Sequence, residues 1–210
     1  MSDDVKTWKM IHDERERSAD MLESLSPEQW TADTLCEGWN VRLVAAHMMI
    51  AGEQTTGSFM KGLLASGFRF NVMMDRAARE GGQLPPSEII ARIRARTTTT
   101  NKPPAPAMAM LGEVVVHGTD IRQPLGIADD TSSDAKLACL NMFKGSNFPV
   151  KAKRTIAGLR LRATDADWSY GSGPEVAGPM VALIMAMTTR PLLDSLSGDG
   201  VDTLRSRLKK

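Results

Sequence analysis

The stretch Leu111-Gly112-Glu113-Val114-Val115-Val116-His117-Gly118-Thr119-Asp120 decides how the chain is read. It closes an otherwise apolar run from Ala105 to Val116, whose length and composition predict a helix. On a helix, Glu113 and His117 stand at i and i+4 and stack on one face. A buried carboxylate is costly unless it is paired or coordinates a metal. A carboxylate and an imidazole projecting together from one helix supply half of a zinc site. The remaining ligand must then come from another part of the chain.

Three histidines occur: His12, His47 and His117. His12 lies among Asp13, Glu14 and Arg15 on an amphipathic pattern from Val5 to Leu25, and reads as a solvated or rim histidine. His47 is different. From Leu43 to Ala51 every other residue is apolar, in a segment expected to be helical from Val41 to about Leu64 with Asn40 as its N-cap. His47 is either a core histidine satisfied by a neighbour or the third ligand. Two histidines and one carboxylate would leave the fourth tetrahedral position open, the pattern of catalytic rather than structural zinc. A direct Glu113–His117 hydrogen bond without metal is the competing reading. Asp120 has two candidate partners, Arg122 or a neighbour on its own helix.

Composition sets the outer limits. The 26 basic and 25 acidic residues leave a net charge of +1, which offers no electrostatic argument for nucleic acid or a membrane surface. The opening residues Met1 to Lys6 are polar and acidic, unlike a secretory signal peptide. The longest apolar stretches, Leu43–Ala51 and Val181–Met187, are too short to span a bilayer. The two cysteines, Cys36 and Cys139, form no CxxC pattern and read as small core residues of a reducing cytoplasm. Cys36 precedes a helix and Cys139 falls in a later one, so neither is expected to act as a nucleophile.

Further helices are expected over Phe68–Glu80, from Pro86, and from Asp129 to about Phe143. In the second of these, Ile89, Ile90 and Ile93 face inward, and Arg92, Arg94 and Arg96 form a solvated face or the rim of an acidic-substrate site. After the linker Gly145–Pro149 the texture changes. Ile156–Ala163 alternates as a half-buried strand, and Trp168–Tyr170 pairs with it as a hairpin. Gly171–Gly178 imitates a phosphate loop, but its spacing fits neither nucleotide motif. An apolar helix over Pro179–Thr188 and a final amphipathic one follow. The expected architecture is α+β: an all-helical four-helix bundle over residues 1–147, then a small α+β domain over 148–210.

Several strings carry a family resemblance: Leu25-Ser26-Pro27-Glu28-Gln29-Trp30, Gly38-Trp39-Asn40-Val41-Arg42 followed by His47, and Gly112-Glu113 through His117 to Arg122. In the tail, Gly158–Asp165, Trp168, Gly173-Pro174-Glu175-Val176 and Thr189-Arg190-Pro191 continue it. The chain resembles the mycothiol-dependent maleylpyruvate isomerase family, a group of DinB-like metal-binding four-helix bundles with a sterol-carrier-like C-terminal domain. The resemblance implies zinc, or another divalent metal, held by His47, Glu113 and His117. It also implies a cytoplasmic enzyme of actinobacterial type, with mycothiol as its thiol and Arg190 as the functional arginine that takes the substrate carboxylate. Arg190 also reads as a cation at a helix end.

The chemistry so implied is a small thiol, held as thiolate, acting on an electrophilic substrate. Addition to a cis double bond, rotation and departure give an isomerase; retention gives an S-transferase. The alternative is a non-catalytic module that binds a metal or an apolar ligand, with some of the 14 methionines lining the cavity. Oligomeric state is left open by the sequence.

Overall fold

The computed structural model describes residues 3–148 and 150–208. Pro149, at the end of the expected linker, lies outside them. The chain divides into two compact units, Met1–Asp130 and Thr131–Lys210. Residues 133–143 pack within the second unit, so this division falls before the position near 147 expected from sequence.

The first unit is helical. It contains α1 (Asp3–Glu23), α2 (Val41–Glu53), α3 (Thr56–Ala65), α4 (Phe70–Gly81), α5 (Pro86–Arg94) and α6 (Ala107–Arg122). Helix α1 packs on α5 and α6, and α2 packs on the same two, which closes a four-helix bundle; α4 lies against α2. The core positions follow the apolar periodicity: Ile11 and Leu22 of α1, Val44 and Met49 of α2, Ile89 of α5 and Leu111 of α6 are buried. Val5, where the amphipathic pattern of α1 begins, is exposed.

Asn40 caps α2 as expected, its Oδ1 accepting the Leu43 N–H at 3.1 Å. The single helix expected from Val41 to Leu64 is instead two. Gln54 turns extended, and Thr55 with Ser58 forms a capping box that starts α3. The absence of proline therefore did not guarantee continuity, because local side-chain bonds offered the backbone a better start one turn later. Between α1 and α2, Gln29–Thr31 forms a single 3-10 turn with Trp30 buried.

The second unit holds α7 (Ser133–Phe143), α8 (Ala152–Thr155), β1 (Arg160–Ala163), β2 (Ser169–Gly171), β3 (Glu175–Gly178), α9 (Met180–Met187) and α10 (Val201–Leu208). The sheet order is β2-β1-β3. The expected hairpin is present, with Leu161 opposite Tyr170 in the antiparallel β1–β2 pair. Strand β3 runs parallel to β1, with Leu161 beside Val176. This Gly- and Pro-rich stretch is thus a strand, and Gly173 at φ +121° places its backbone against the Gly158 carbonyl where a Cβ would collide. Helix α9, buried nearly all round, packs on β1, β3 and α7. No described helix is long and apolar enough to cross a membrane.

Candidate metal centre

Helices α2 and α6 are neighbours in the bundle. His47 of α2 and Glu113 and His117 of α6 each offer one donor atom, and all three donors lie within 4.8 Å of one another. His47 Nε2 is 3.7 Å from Glu113 Oε1, and the two imidazole rings meet edge to face at 4.8 Å between centroids. The three side chains keep only 13–16% of their surface exposed, so the cluster is shielded yet reachable.

Glu113 Oε1 is buried and has no hydrogen-bond partner. The 3.7 Å separation from His47 exceeds hydrogen-bonding distance. The direct Glu113–His117 bond that would make the pair self-sufficient does not satisfy this oxygen. Burial pushes the Glu113 carboxyl up to about 6, against the opposing pull of His117 and Arg15. A carboxylate enclosed in this way is held ionised by a cation or else takes up a proton more readily. Two imidazole nitrogens and one carboxylate oxygen are a donor set that suits zinc, and the orphaned oxygen fits the same ion.

The surroundings fix the rings. Asp120, one turn beyond His117, is wholly buried, and its Oδ2 lies 2.9 Å from His117 Nδ1. A proton on Nδ1 donated to this carboxylate leaves Nε2 as the basic nitrogen of the ring. Of the two partners considered for Asp120, the helix neighbour is the one present. Arg122 instead pairs with Asp130 at 2.7 Å.

The loop before α2 closes one side. Gly38 has φ +77°, a conformation costly for other residues. The Thr34 hydroxyl donates to the Trp39 carbonyl, and the Leu35 N–H reaches the Asp120 carbonyl on α6. Trp39 then rests with its ring 5.2 Å from that of His47, its indole N–H donating to Asp75 of α4 at 3.0 Å. The same loop carries Cys36 to His117 and Asp120, so that a donor atom from each falls within 4.8 Å of the others. Sequence reasoning did not place Cys36, Trp39 or Asp75 at the site. The Gly38-Trp39 turn was the available signal, since a tight turn just before a buried helix must fold back over it.

The remaining candidates are elsewhere. Arg190, in the second unit, follows α9 after Thr189, which adopts φ +68°. A non-glycine residue held there carries strain of the kind that clusters at functional sites. The Arg190 guanidinium donates to the Thr188 carbonyl at 2.9 Å. Arg92 and Arg94 are engaged on the surface, Arg92 with Glu53 and Arg94 with Glu16, Asp20 and Glu23.

Fold and side-chain cluster together define a helical bundle with a candidate metal site in its interior. Residues 11–105 match the model of the mycothiol maleylpyruvate isomerase N-terminal domain, the family that the sequence strings resemble. The match includes His47 and stops short of Glu113 and His117. Among solved structures, the chain is similar to the mycothiol-dependent maleylpyruvate isomerase, at 13% identity and a TM-score of 0.65, with 92% of each chain covered. A histidine-to-alanine mutant of that isomerase matches at 12% identity, with the same TM-score and coverage. These likenesses establish the α+β fold. Comparison with curated proteins gives no significant match.

Proposed function

We propose that this chain is a metal-dependent enzyme that uses a small thiol, with zinc held by His47, Glu113 and His117. The observation that carries the proposal is the buried, partnerless Oε1 of Glu113 among donors within 4.8 Å. The reaction class is that of the similar isomerase: cis–trans isomerisation of a maleylpyruvate-like substrate with mycothiol, or S-transfer by the same thiol. Zinc, when bound, supplies the Lewis acidity that keeps a coordinated thiol deprotonated at neutral pH.

The chain's own residues do the rest. Asp120 holds the proton of His117 at Nδ1 and fixes the ring. Trp39 limits rotation of His47 and excludes water from its face. The proposal assigns the substrate carboxylate to Arg190, whose planar fork suits a bidentate pair.

Zinc-loaded protein given mycothiol and maleylpyruvate should form the trans product, or a thiol adduct, only when the thiol is present. His47→Ala should abolish turnover. Equal turnover without thiol, or undiminished turnover in the variant, would contradict the proposal.

A further inference from the structure

Arg15 of α1 is a cation in the bundle interior, 7% exposed, on the helix that packs against α6. Its Nη1 donates to the Thr99 carbonyl at 2.8 Å, with the Arg96 carbonyl at 3.4 Å. Its Nη2 is buried and has no hydrogen-bond partner. A guanidinium donor left orphaned in the interior is costly, and native structures rarely leave one so. The cavity of about 10 Å³ is lined by Arg15, Ser18, Met48, Met49 and Glu113, among others. It therefore brings together a donor without an acceptor and a carboxylate enclosed by apolar side chains.

We propose that this cavity holds one water bonded to Arg15 Nη2 and to the Glu113 carboxylate, which makes Arg15 a positioning residue for Glu113. The space suffices for a water and for no larger polar ligand. A bridging water serves nearly as well as a direct bond. The electrostatics run the same way: Arg15 favours the charged form of Glu113 and Glu113 favours that of Arg15, each against its own burial. Two other polar side chains line the cavity: Ser18, whose hydroxyl donates to the Glu14 carbonyl, and Arg96, whose own carbonyl lies 3.4 Å from Arg15 Nη1. Arg15 thus stands behind Glu113 as Asp120 stands behind His117. The extension from Glu113 to the metal rests on the proposed function; the water and the charge coupling do not.

The first test uses metal-free protein. Crystals that resolve solvent should show a water within hydrogen-bonding distance of both side chains. A double-mutant cycle of Arg15→Met and Glu113→Gln in denaturant unfolding should show coupling on the order of tenfold in the folding equilibrium. Competition with a chromophoric chelator then reads the metal, and Arg15→Met should weaken zinc binding by roughly 10–100-fold. Additive effects in the cycle, no water at the position, or an unchanged zinc affinity would mean that Arg15 only fastens the Arg96–Thr99 turn, and would overturn the proposal. If Arg15→Met does not fold, Arg15→Lys takes its place. Lysine keeps the charge without the fork, so the water contact should be lost and zinc binding weakened severalfold; wild-type behaviour in both would overturn it. A wild-type chain that takes up no zinc would defeat the proposed function, while the cycle and the crystals would still decide this inference.

Discussion

Two clusters of charged side chains in the first unit differ sharply. On the surface, Arg94 of α5 meets Glu16, Asp20 and Glu23 at 2.6–2.7 Å, so its guanidinium is satisfied by neighbours on α1. Inside the bundle, the donor atoms of His47, Glu113 and His117 gather within 4.8 Å of one another, yet Glu113 Oε1 has no hydrogen-bond partner. The first cluster is complete as it stands and gains little from its many contacts, because solvent competes for every charge. The second has given up solvent, and one oxygen of its buried carboxylate accepts no hydrogen bond in exchange. The incomplete cluster, and not the richly paired one, is where function should be sought.

The contrast can be sharpened by substitution. The largest effect should come from Asp120→Asn, which keeps the shape and removes the carboxylate from His117 Nδ1. Zinc affinity, read by chelator competition, should fall by roughly 10–100-fold. An affinity equal to wild type would make Asp120 a packing residue. Next comes a pH effect in the metal-free protein. The Glu113 carboxyl is raised from 4.5 to about 6 in the fold. Its protonated form is therefore favoured by folding, and its contribution is fully present below about pH 4.5 and lost as pH rises through about 6. Denaturation of wild type beside Glu113→Gln should show wild type losing about 2 kcal/mol relative to the variant across that window. A difference independent of pH would contradict the burial of this carboxylate. The smallest effect belongs to the surface cluster. Arg94→Met should shift Tm by no more than a few degrees and leave zinc binding unchanged. A large loss there would break the comparison.

The site was legible to the extent that it lies on regular helices. Glu113 and His117 could be paired by helical spacing, and His47 stood out as the polar residue in an apolar helix. Asp120 is three residues from His117, within helical reach, but spacing alone could not choose between it and Arg122. Arg15 was hidden for a different reason. It lies in a run of charged residues that looks solvated, and tertiary packing, with α1 against α5 and α6, buries it. Trp39 and Cys36 reach the site through a loop whose path depends on Gly38 and on the Leu35–Asp120 backbone bond. Such long-range bonds leave no periodic trace in sequence.

The fold divides in the same way. Amphipathic periodicity marked α1, apolar runs marked α6 and α9, a polar helix start marked α7, and alternation marked β1. The break between α2 and α3 depends on a side-chain capping box that composition does not announce. Strand β3 was obscured by its flanking glycines and proline, which permit the close approach of Gly173 to the Gly158 carbonyl. Close backbone contact of this kind becomes visible only when the partner strand is in place.

The central claim is that the interior cluster is a metal centre. It is tested most directly by the metal content of protein purified without chelator or histidine tag, beside His47→Ala and Glu113→Gln. The account predicts about one zinc or other divalent ion per wild-type chain, and loss of the ion in both variants. Wild-type protein that carries no metal and takes up none when zinc is added would contradict it.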